Sequence, residues 1–168
     1  YRMTYKPGKD SMMMAEYLED NPIEAESCLD MGTGSGILAK KMREKAETVH
    51  AVDKDPEAVK YARERLDGIN VYRSDLFSEV ERKFDLIAFN SPYLPGEDES
   101  DYSDWAGGEN GIELTERFLN NADGYLNKGG RILFLVSDRA DSDQLIQANR
   151  VLDTTHDWFE KLYLLEKN

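Results

Sequence analysis

The sequence LDMGTGSG at residues 29–36 decides the fold of this chain. An apolar, strand-like run leads into its glycines and a helical pattern follows them, so the stretch predicts a tight turn between a strand and a helix. Glycine permits such a turn and lets a ligand approach the backbone closely. The spacing is G-x-G-x-G behind Asp30, which differs from the G-x-G-x-x-G of dinucleotide sites. A carboxylate there would repel a pyrophosphate and attract an ammonium group, such as that of S-adenosylmethionine.

On both sides of this turn, hydrophobic runs alternate with helical patterns, which is typical of a parallel α/β sheet. The acidic, glycine-containing segment 94–110 is the longest irregular stretch, and we interpret it as a substrate-facing lid rather than a solvated tether. A turn is predicted at 127–130. The predicted strands cover 28–31, 49–53, 70–74, 84–89, 131–137, 151–155 and 158–165, and the predicted helices cover 10–20, 37–45, 56–66, 111–125 and 142–150.

The composition limits the classes of protein to which the chain can belong. Its 168 residues fit one domain, predicted to span 1–168, and 34 acidic against 21 basic residues give a net charge of −13. That balance opposes binding to a phosphate backbone, so direct nucleic-acid binding is not expected. The single cysteine, Cys28, excludes an internal disulfide and a multi-cysteine zinc site, and its strand context predicts a buried thiol. Without a membrane-spanning run or signal-peptide pattern, we expect a soluble, cytoplasmic protein.

Polar residues follow three further predicted strands at their carboxyl ends, where open α/β sheets bind ligands. Asp53 ends the second strand, about 20 residues beyond the glycines, and an acid there can accept hydrogen bonds from ribose hydroxyls. Asp75 ends the third strand and could accept an adenine amino group, with Leu76 against the ring. Asn90 follows the fourth strand. Together with the acid before the glycines, these residues form a row along one sheet edge, which is a stronger signal than any one member.

The sequence FDLIAFNSPY at residues 84–93 places the asparagine in a specific chemical context. Its apolar run suits a strand that is covered on both faces. Asn90 can accept from and donate to an NH2 group, Pro92 fixes its own φ and has no N–H, and Tyr93 offers a flat face for stacking. We interpret residues 90–93 as a clamp for a planar substrate that carries an NH2 group.

The order Asp30-x-Gly-x-Gly-x-Gly36, Asp53, Asp75 and Asn90-Ser-Pro-Tyr93 resembles the class I S-adenosylmethionine-dependent methyltransferases that act on NH2 groups. Three flanking segments narrow the resemblance to the small HemK-related glutamine methyltransferases of archaea and eukaryotes, so that it covers nearly the whole chain. The resemblance implies a Rossmann-like fold with a mostly parallel seven-stranded sheet, an antiparallel strand near the carboxyl terminus and helices on both faces. The flanking segments are YKPGKDS at 5–11, WAGGENG at 105–111 and WFEKLY at 158–163.

The resemblance also implies an activity and a set of site residues. The activity is methyl transfer to the side-chain amide nitrogen of the glutamine in the Gly-Gly-Gln motif of a peptide release factor. Family members often work with a small zinc-binding activator protein, and no metal site is expected on this chain itself. The residues implied to contact the cofactor are Ser11, Asp30, Gly32, Gly34, Gly36, Asp53, Asp75, Leu76 and Asn90, and those implied to hold the glutamine are Asn90, Ser91, Pro92 and Tyr93.

One position departs from the family pattern, because Ser91 stands where a second proline is usual. The backbone carbonyl of this residue, rather than its side chain, is the expected acceptor for the substrate NH2. Pro92 still restricts Ser91 to extended backbone angles. The clamp is therefore expected to form with somewhat less rigidity.

Two other classes of function stay open from the sequence. An amino-group methyltransferase that acts on adenine or guanine in RNA or DNA could use the same clamp, although the net charge of −13 opposes it. A catalytically silent binding module with the same fold is the other alternative. The intact acids oppose it, because a silent module would not need them. The two histidines do not favour either class, because His50 in a strand is predicted to be structural and His156 in a polar turn to be solvent-exposed.

Overall fold

A computed structural model describes residues 8–90, 112–156 and 159–168, which form one sheet with helices on both of its faces. The strands are β1 (Ser27–Met31), β2 (Thr48–Asp53), β3 (Asn70–Arg73), β4 (Phe84–Phe89), β5 (Leu126–Ser137), β6 (Arg150–His156) and β7 (Lys161–Glu166). The helices are α1 (Lys9–Asp20), α2 (Ile37–Arg43), α3 (Pro56–Arg63), α4 (Glu113–Ala122) and α5 (Asp143–Ala148), and a short 3-10 helix covers Asp123–Tyr125.

The seven strands lie in the order β3-β2-β1-β4-β5-β7-β6. β1 pairs in parallel with both β2 and β4, so the chain reverses its direction of travel across the sheet beside β1. Open α/β sheets bind ligands at such a reversal, outside the carboxyl ends of the strands. β7 is antiparallel to its neighbours β5 and β6. The expected mostly parallel sheet of seven strands, with an antiparallel strand near the carboxyl terminus, is therefore confirmed.

Two apolar clusters hold the sheet, one on each of its faces. β1 is buried at every position and β4 at all but one, because helices cover both sides of the central strands. One cluster joins the sheet to α1, α2 and α3. The other joins it to α4 and includes the stacked rings of Phe77 and Phe118, whose centroids are 5.5 Å apart. Phe118 is fully buried, so its loss would cost about 3–5 kcal/mol of stability.

The start of α3 shows how local sequence sets the position of a strand end. The side chain of Asp55 caps the helix by accepting a hydrogen bond from the backbone N–H of Glu57 at 2.9 Å. Pro56 occupies the first helical position, where its missing N–H is no loss. Because α3 begins shortly after β2 ends, Asp53, the last residue of that strand, lies at the edge of the sheet where the carboxyl ends of the parallel strands meet.

The turn predicted at 127–130 was wrong, because these residues lie within β5. Phe84 of β4 pairs with Leu126, whereas Leu86, two residues later, pairs with Arg131. The intervening residues of β5 therefore bulge out of the ladder, helped by a glycine with φ of 79°. The glycine and polar composition that suggested a turn belongs to this bulge.

Other predicted elements exist, with boundaries that differ by a few residues. α2 and α3 end at Arg43 and Arg63, before the predicted ends. The helix predicted at 142–150 is shorter at both ends, because Arg150 already pairs in β6. The helix predicted at 111–125 is α4 followed by the 3-10 helix, and its residue 111 lies outside the described residues. The strand predicted at 158–165 corresponds to β7, which begins at Lys161. Trp158, where the predicted strand began, lies outside the described residues.

The remaining structural predictions concern single side chains. Cys28 is fully buried, as expected, and burial raises the pKa of its thiol to about 12. His50 packs in the sheet with its Nδ1 3.0 Å from the hydroxyl of Tyr72, which confirms a structural role. His156 is exposed as predicted, although it ends β6 rather than lying in a turn. None of the helices in the described ranges has the length and apolar character needed to cross a bilayer.

Candidate functional site

The glycine-rich turn wraps around the carboxyl end of β1. Gly32, Gly34 and Gly36 have φ of 70°, 49° and 81°, in the left-handed region that glycine adopts without a steric penalty. Space is restricted at Gly36, where an added Cβ would stand 2.8 Å from a methyl carbon of Leu66. The three glycines predicted from the sequence are therefore required by the shape of this turn.

Asp30 is fully buried in β1, directly before the turn. Its Oδ2 accepts hydrogen bonds from Thr33 Oγ1 at 2.7 Å and from the backbone N–H of Ala39 at 3.1 Å. Its Oδ1 is buried and has no hydrogen-bond partner among the described residues. Burial, with a smaller contribution from the charge of Asp53, raises the pKa of Asp30 to about 7 despite the two hydrogen bonds. An unpartnered carboxylate oxygen of this kind is suited to a cationic donor such as an ammonium group.

Asp53 ends β2 and lies beside the same turn. Its Oδ2 accepts a hydrogen bond from the backbone N–H of Gly34 at 2.9 Å, and its Oδ1 accepts one from Asp55 at 2.9 Å. The backbone N–H of Thr33 donates to the carbonyl of Val52, which ties the turn to β2. Burial raises the pKa of Asp53 above its ordinary value. Since each carboxylate oxygen can accept a second hydrogen bond, Asp53 can still receive hydroxyl donors.

Asp75 and Leu76 follow β3 at the same edge of the sheet. Asp75 is exposed, and its Oδ2 lies 3.9 Å from a guanidinium nitrogen of Arg117 on α4. Leu76 has φ of 49°, a left-handed conformation that costs a bulky residue about 1–2 kcal/mol. The hydroxyl of Ser74 donates to the Leu76 carbonyl at 2.6 Å and helps to hold it there. Backbone strain of this type is concentrated at functional turns, and no signal in the sequence reveals it.

Asn90 comes directly after β4 and is held by the first turn of α1. Its Nδ2 donates hydrogen bonds to Asp10 Oδ2 at 3.0 Å and to Ser11 Oγ at 2.8 Å. Its Oδ1 is buried, with no hydrogen-bond partner in the part of the chain that the structure describes. Both amide hydrogens are thus engaged, so Asn90 presents only an acceptor. The sequence alone allowed this amide to donate as well as accept, whereas the structure leaves only its oxygen available to a ligand.

The structure brings the predicted site residues that it describes to one edge of the sheet. Ser11 joins this edge through Asn90, although it lies on α1 rather than on a strand. Asp10 was not among the predicted site residues, and its only sequence signal is its place in the segment 5–11. The predicted site residues Ser91, Pro92 and Tyr93, and the proposed lid at 94–110, lie outside the described residues, so their roles remain predictions.

The strand order, the glycine turn after β1 and the carboxylates on β1 and β2 define a class I, Rossmann-like methyltransferase. The chain belongs to the methyltransferase small domain family, whose family model matches residues 6–158. The match spans both the glycine turn and the segment around Asn90.

Curated relatives are similar over most of this chain. A protein of Methanocaldococcus jannaschii, assigned by its name as a protein N5-glutamine methyltransferase, is 38% identical over 143 residues, which are 79% of this chain and 72% of the relative. Methyltransferase HEMK2 of Mus musculus is 30% identical over 166 residues, which are 87% of this chain and 77% of its own.

Solved structures are similar in fold. A chain of the E. cuniculi Mtq2-Trm112 complex, which methylates the translation termination factor eRF1, matches with a TM-score of 0.78 at 25% identity, over 98% of both chains. The T. thermophilus 16S rRNA N2 G1207 methyltransferase, solved with AdoMet and guanosine, matches with a TM-score of 0.73 at 20% identity, over 99% of this chain and 45% of its own. The second likeness supports the fold alone.

Proposed function

We propose that this chain transfers a methyl group from S-adenosylmethionine to the side-chain amide nitrogen of a glutamine in the Gly-Gly-Gln motif of a peptide release factor. The observation that carries the proposal is the buried Oδ1 of Asn90, which has no partner among the described residues. An acceptor in that position is complementary to an NH2 group, and a primary amide carries one. The names of the M. jannaschii relative and of the E. cuniculi complex support glutamine and a release factor, respectively.

The residues around the glycine turn fit S-adenosylmethionine, which supplies an electrophilic methyl group on its sulfonium. The unpartnered Oδ1 of Asp30 can accept a hydrogen bond from the ammonium of the amino-acid end. Asp53 can accept from the ribose hydroxyls, and Asp75 with Leu76 can border the adenine. This assignment gives each predicted carboxylate a separate part of one cofactor.

The proposed chemistry is direct transfer to a poorly nucleophilic nitrogen, since the lone pair of an amide is delocalised into its carbonyl. Asn90 Oδ1 accepts one N–H of the glutamine and the backbone carbonyl of Ser91 accepts the other, which favours a pyramidal nitrogen. In this proposal the role of Tyr93 is to stack on the amide plane and fix its position. Orientation of this kind can contribute about 7–11 kcal/mol, and no general base is needed before the transfer. As the N–C bond forms, the C–S bond breaks and the sulfur leaves as the neutral thioether S-adenosylhomocysteine, and the nitrogen then loses one proton to water.

The proposed partners are the release factor and a small zinc-binding activator protein. A net charge of −13 favours a basic protein surface over the phosphate backbone of RNA or DNA. The E. cuniculi complex pairs Mtq2 with a second protein, Trm112, which supports an activator here as well.

Mass spectrometry of a release factor incubated with this protein and S-adenosylmethionine tests the proposal. We expect one added methyl group on the glutamine of Gly-Gly-Gln in a reaction that contains the activator protein. A release factor with that glutamine changed to glutamate is the matched control and should stay unmodified. Methylation of tRNA, rRNA or DNA in parallel reactions, with none on the release factor, would support the nucleobase alternative instead.

A further inference from the structure

We propose that Asp10 is a positioning residue that fixes the orientation of the Asn90 carboxamide, so that the site accepts a primary amide and rejects a carboxylate. The inference rests on the proposed function and names a determinant of its specificity. Its basis is the pair of hydrogen bonds from Asn90 Nδ2 to Asp10 Oδ2 at 3.0 Å and Ser11 Oγ at 2.8 Å.

The two partners of Asn90 do not contribute equally to its orientation. The hydroxyl of Ser11 can accept from the Nδ2 or donate to the Oδ1, so it fits either rotation of the carboxamide. An ionised carboxylate can only accept. Asp10 therefore selects the rotation in which Nδ2 faces α1 and Oδ1 faces away from it. Because this hydrogen bond involves a charged acceptor, it is stronger than the bond to the hydroxyl.

Gly8, the residue before α1, leaves room for the carboxylate of Asp10. A Cβ added to Gly8 would clash with Asp10 Oδ1, so a side chain there would push this flexible carboxylate out of its present position. The backbone of Gly8, with φ of −76° and ψ of 173°, is one that any residue can adopt. The constraint at this position is therefore the space that the present position of the Asp10 carboxylate needs and not backbone strain.

The fixed rotation has a consequence for the choice of substrate. A glutamine can donate an N–H to the unpartnered lone pairs of Asn90 Oδ1, whereas a glutamate would bring an oxygen against another oxygen. If Asn90 could rotate, its Nδ2 would donate to the glutamate and the discrimination would weaken. Asp10 thus distinguishes an amide from an acid without touching the substrate.

Two substitutions separate this role from a general effect on folding. Asp10→Asn keeps the size of the side chain but can accept or donate, so both rotations of Asn90 become possible. Gly8→Ala leaves Asp10 in place and moves its carboxylate. Glu16→Ala, at an exposed position of α1, is the matched control. Thermal melting of all three variants reports whether they fold.

The first measurement needs no substrate. In the NMR spectrum of the 15N-labelled protein, the side-chain NH2 signals of Asn90 should be protected from exchange in the wild type. We expect them to move and to exchange faster in Asp10→Asn and Gly8→Ala but not in Glu16→Ala. Unchanged Asn90 signals in Asp10→Asn would overturn the proposal, whether or not the release factor is the substrate.

The second measurement compares a release factor carrying Gly-Gly-Gln with the same protein carrying Gly-Gly-Glu as an inhibitor. Asp10→Asn should lower kcat for the glutamine form and lower the inhibition constant of the glutamate form, each by about tenfold. The KM for S-adenosylmethionine should change by less than about twofold. A fall in kcat without any change in the glutamate inhibition constant would contradict the specificity role. An inactive wild type would instead contradict the proposed function and leave the NMR result to decide the orientation.

Discussion

Two buried oxygens on neighbouring strands, Oδ1 of Asp30 on β1 and Oδ1 of Asn90 after β4, have no hydrogen-bond partner among the described residues. They differ in charge. Asp30 is an acid whose ionised form, with an unpartnered oxygen, is suited to a cation, although burial raises its pKa to about 7. Asn90 is a neutral amide that can only accept, so it is suited to a neutral N–H donor. In the proposed function, this difference assigns Asp30 to cofactor binding and Asn90 to substrate recognition.

The two groups also differ in how they are held. Asp30 accepts from Thr33 and Ala39, which are three and nine residues further along the chain. Asn90 is fixed by Asp10 and Ser11, which precede it by 80 and 79 residues. The proposed cofactor side is therefore built locally around one turn, whereas the proposed acceptor side forms only once α1 has docked on the sheet.

The largest expected effect is that of Asn90→Ala on turnover. Removing the acceptor for the substrate N–H should lower kcat by about 10²–10³-fold, because a preorganised hydrogen bond at the reacting group is lost. Cofactor affinity measured by calorimetry should change little. The control is Asn121→Ala, which changes an exposed asparagine of α4. Near-normal turnover in Asn90→Ala would contradict the proposed role of this residue.

Asp30→Asn should have the complementary effect, on cofactor affinity. Replacing the carboxylate leaves the ammonium without its charged partner, and the loss should raise the Kd for S-adenosylmethionine by about 30-fold or more. Asp67→Asn, an exposed change of the same chemistry, should leave the Kd unaltered. If both variants bind the cofactor as the wild type does, Asp30 is not the ammonium partner.

The pH dependence of cofactor binding should distinguish the charged site from the neutral one. Protonated Asp30 cannot pair with an ammonium, so affinity should rise about tenfold per pH unit below its pKa of about 7 and level off above it. Calorimetry across this range should show the rise in the wild type and in Asn90→Ala. The profile of Asp30→Asn should be nearly flat, and a flat wild-type profile would exclude this coupling.

The same acid should make the free protein less stable as the pH rises. An aspartate in an unfolded chain has a pKa of about 3.9, so the folded state, where the pKa of Asp30 is about 7, holds the proton more tightly. Its contribution to stability is therefore present below about pH 4 and is lost as the pH rises to about 7. Urea unfolding of the wild type and of Asp30→Asn at several pH values would isolate the contribution of Asp30, as the difference between their free energies of unfolding. A constant difference would show that Asp30 does not titrate in this range.

The smallest expected effect concerns the shape of the glycine turn. Gly36→Ala introduces a Cβ 2.8 Å from Leu66 at a left-handed φ, so it should cost about 1–3 kcal/mol of stability and lower the Tm by several degrees. Gly124→Ala is the control, since a Cβ there has no atom within 4 Å. Equal melting temperatures of the two variants would show that the turn can relax.

Local patterns in the sequence predicted the glycine turn and the acids beside it, because these features depend on local sequence. The glycines, Asp30 and Asp53 lie within or next to β1 and β2, and each is identified by its distance from a recognisable strand. The sheet was predictable for the same reason, since alternating strands and helices leave few arrangements. The bulge at 127–130 was missed, because a bulge and a turn use the same residue types and only the pairing of β4 with β5 distinguishes them.

The acceptor side was predicted in its residue but not in its geometry. The position of Asn90 after β4 follows from the sequence, yet the rotation of its carboxamide depends on Asp10, which the chain brings close only through tertiary packing. The strained backbone of Leu76 was missed because leucine gives no local indication of a positive φ.

The most direct test of the central claim is tandem mass spectrometry of a release factor incubated with S-adenosylmethionine, the activator protein and either the wild type or Asn90→Ala. The prediction is one methyl group on the glutamine of the Gly-Gly-Gln motif with the wild type, and almost none with the variant, although both bind the cofactor. A wild type that binds the cofactor and leaves this glutamine unmodified, or a variant that methylates it at the wild-type rate, would contradict the claim.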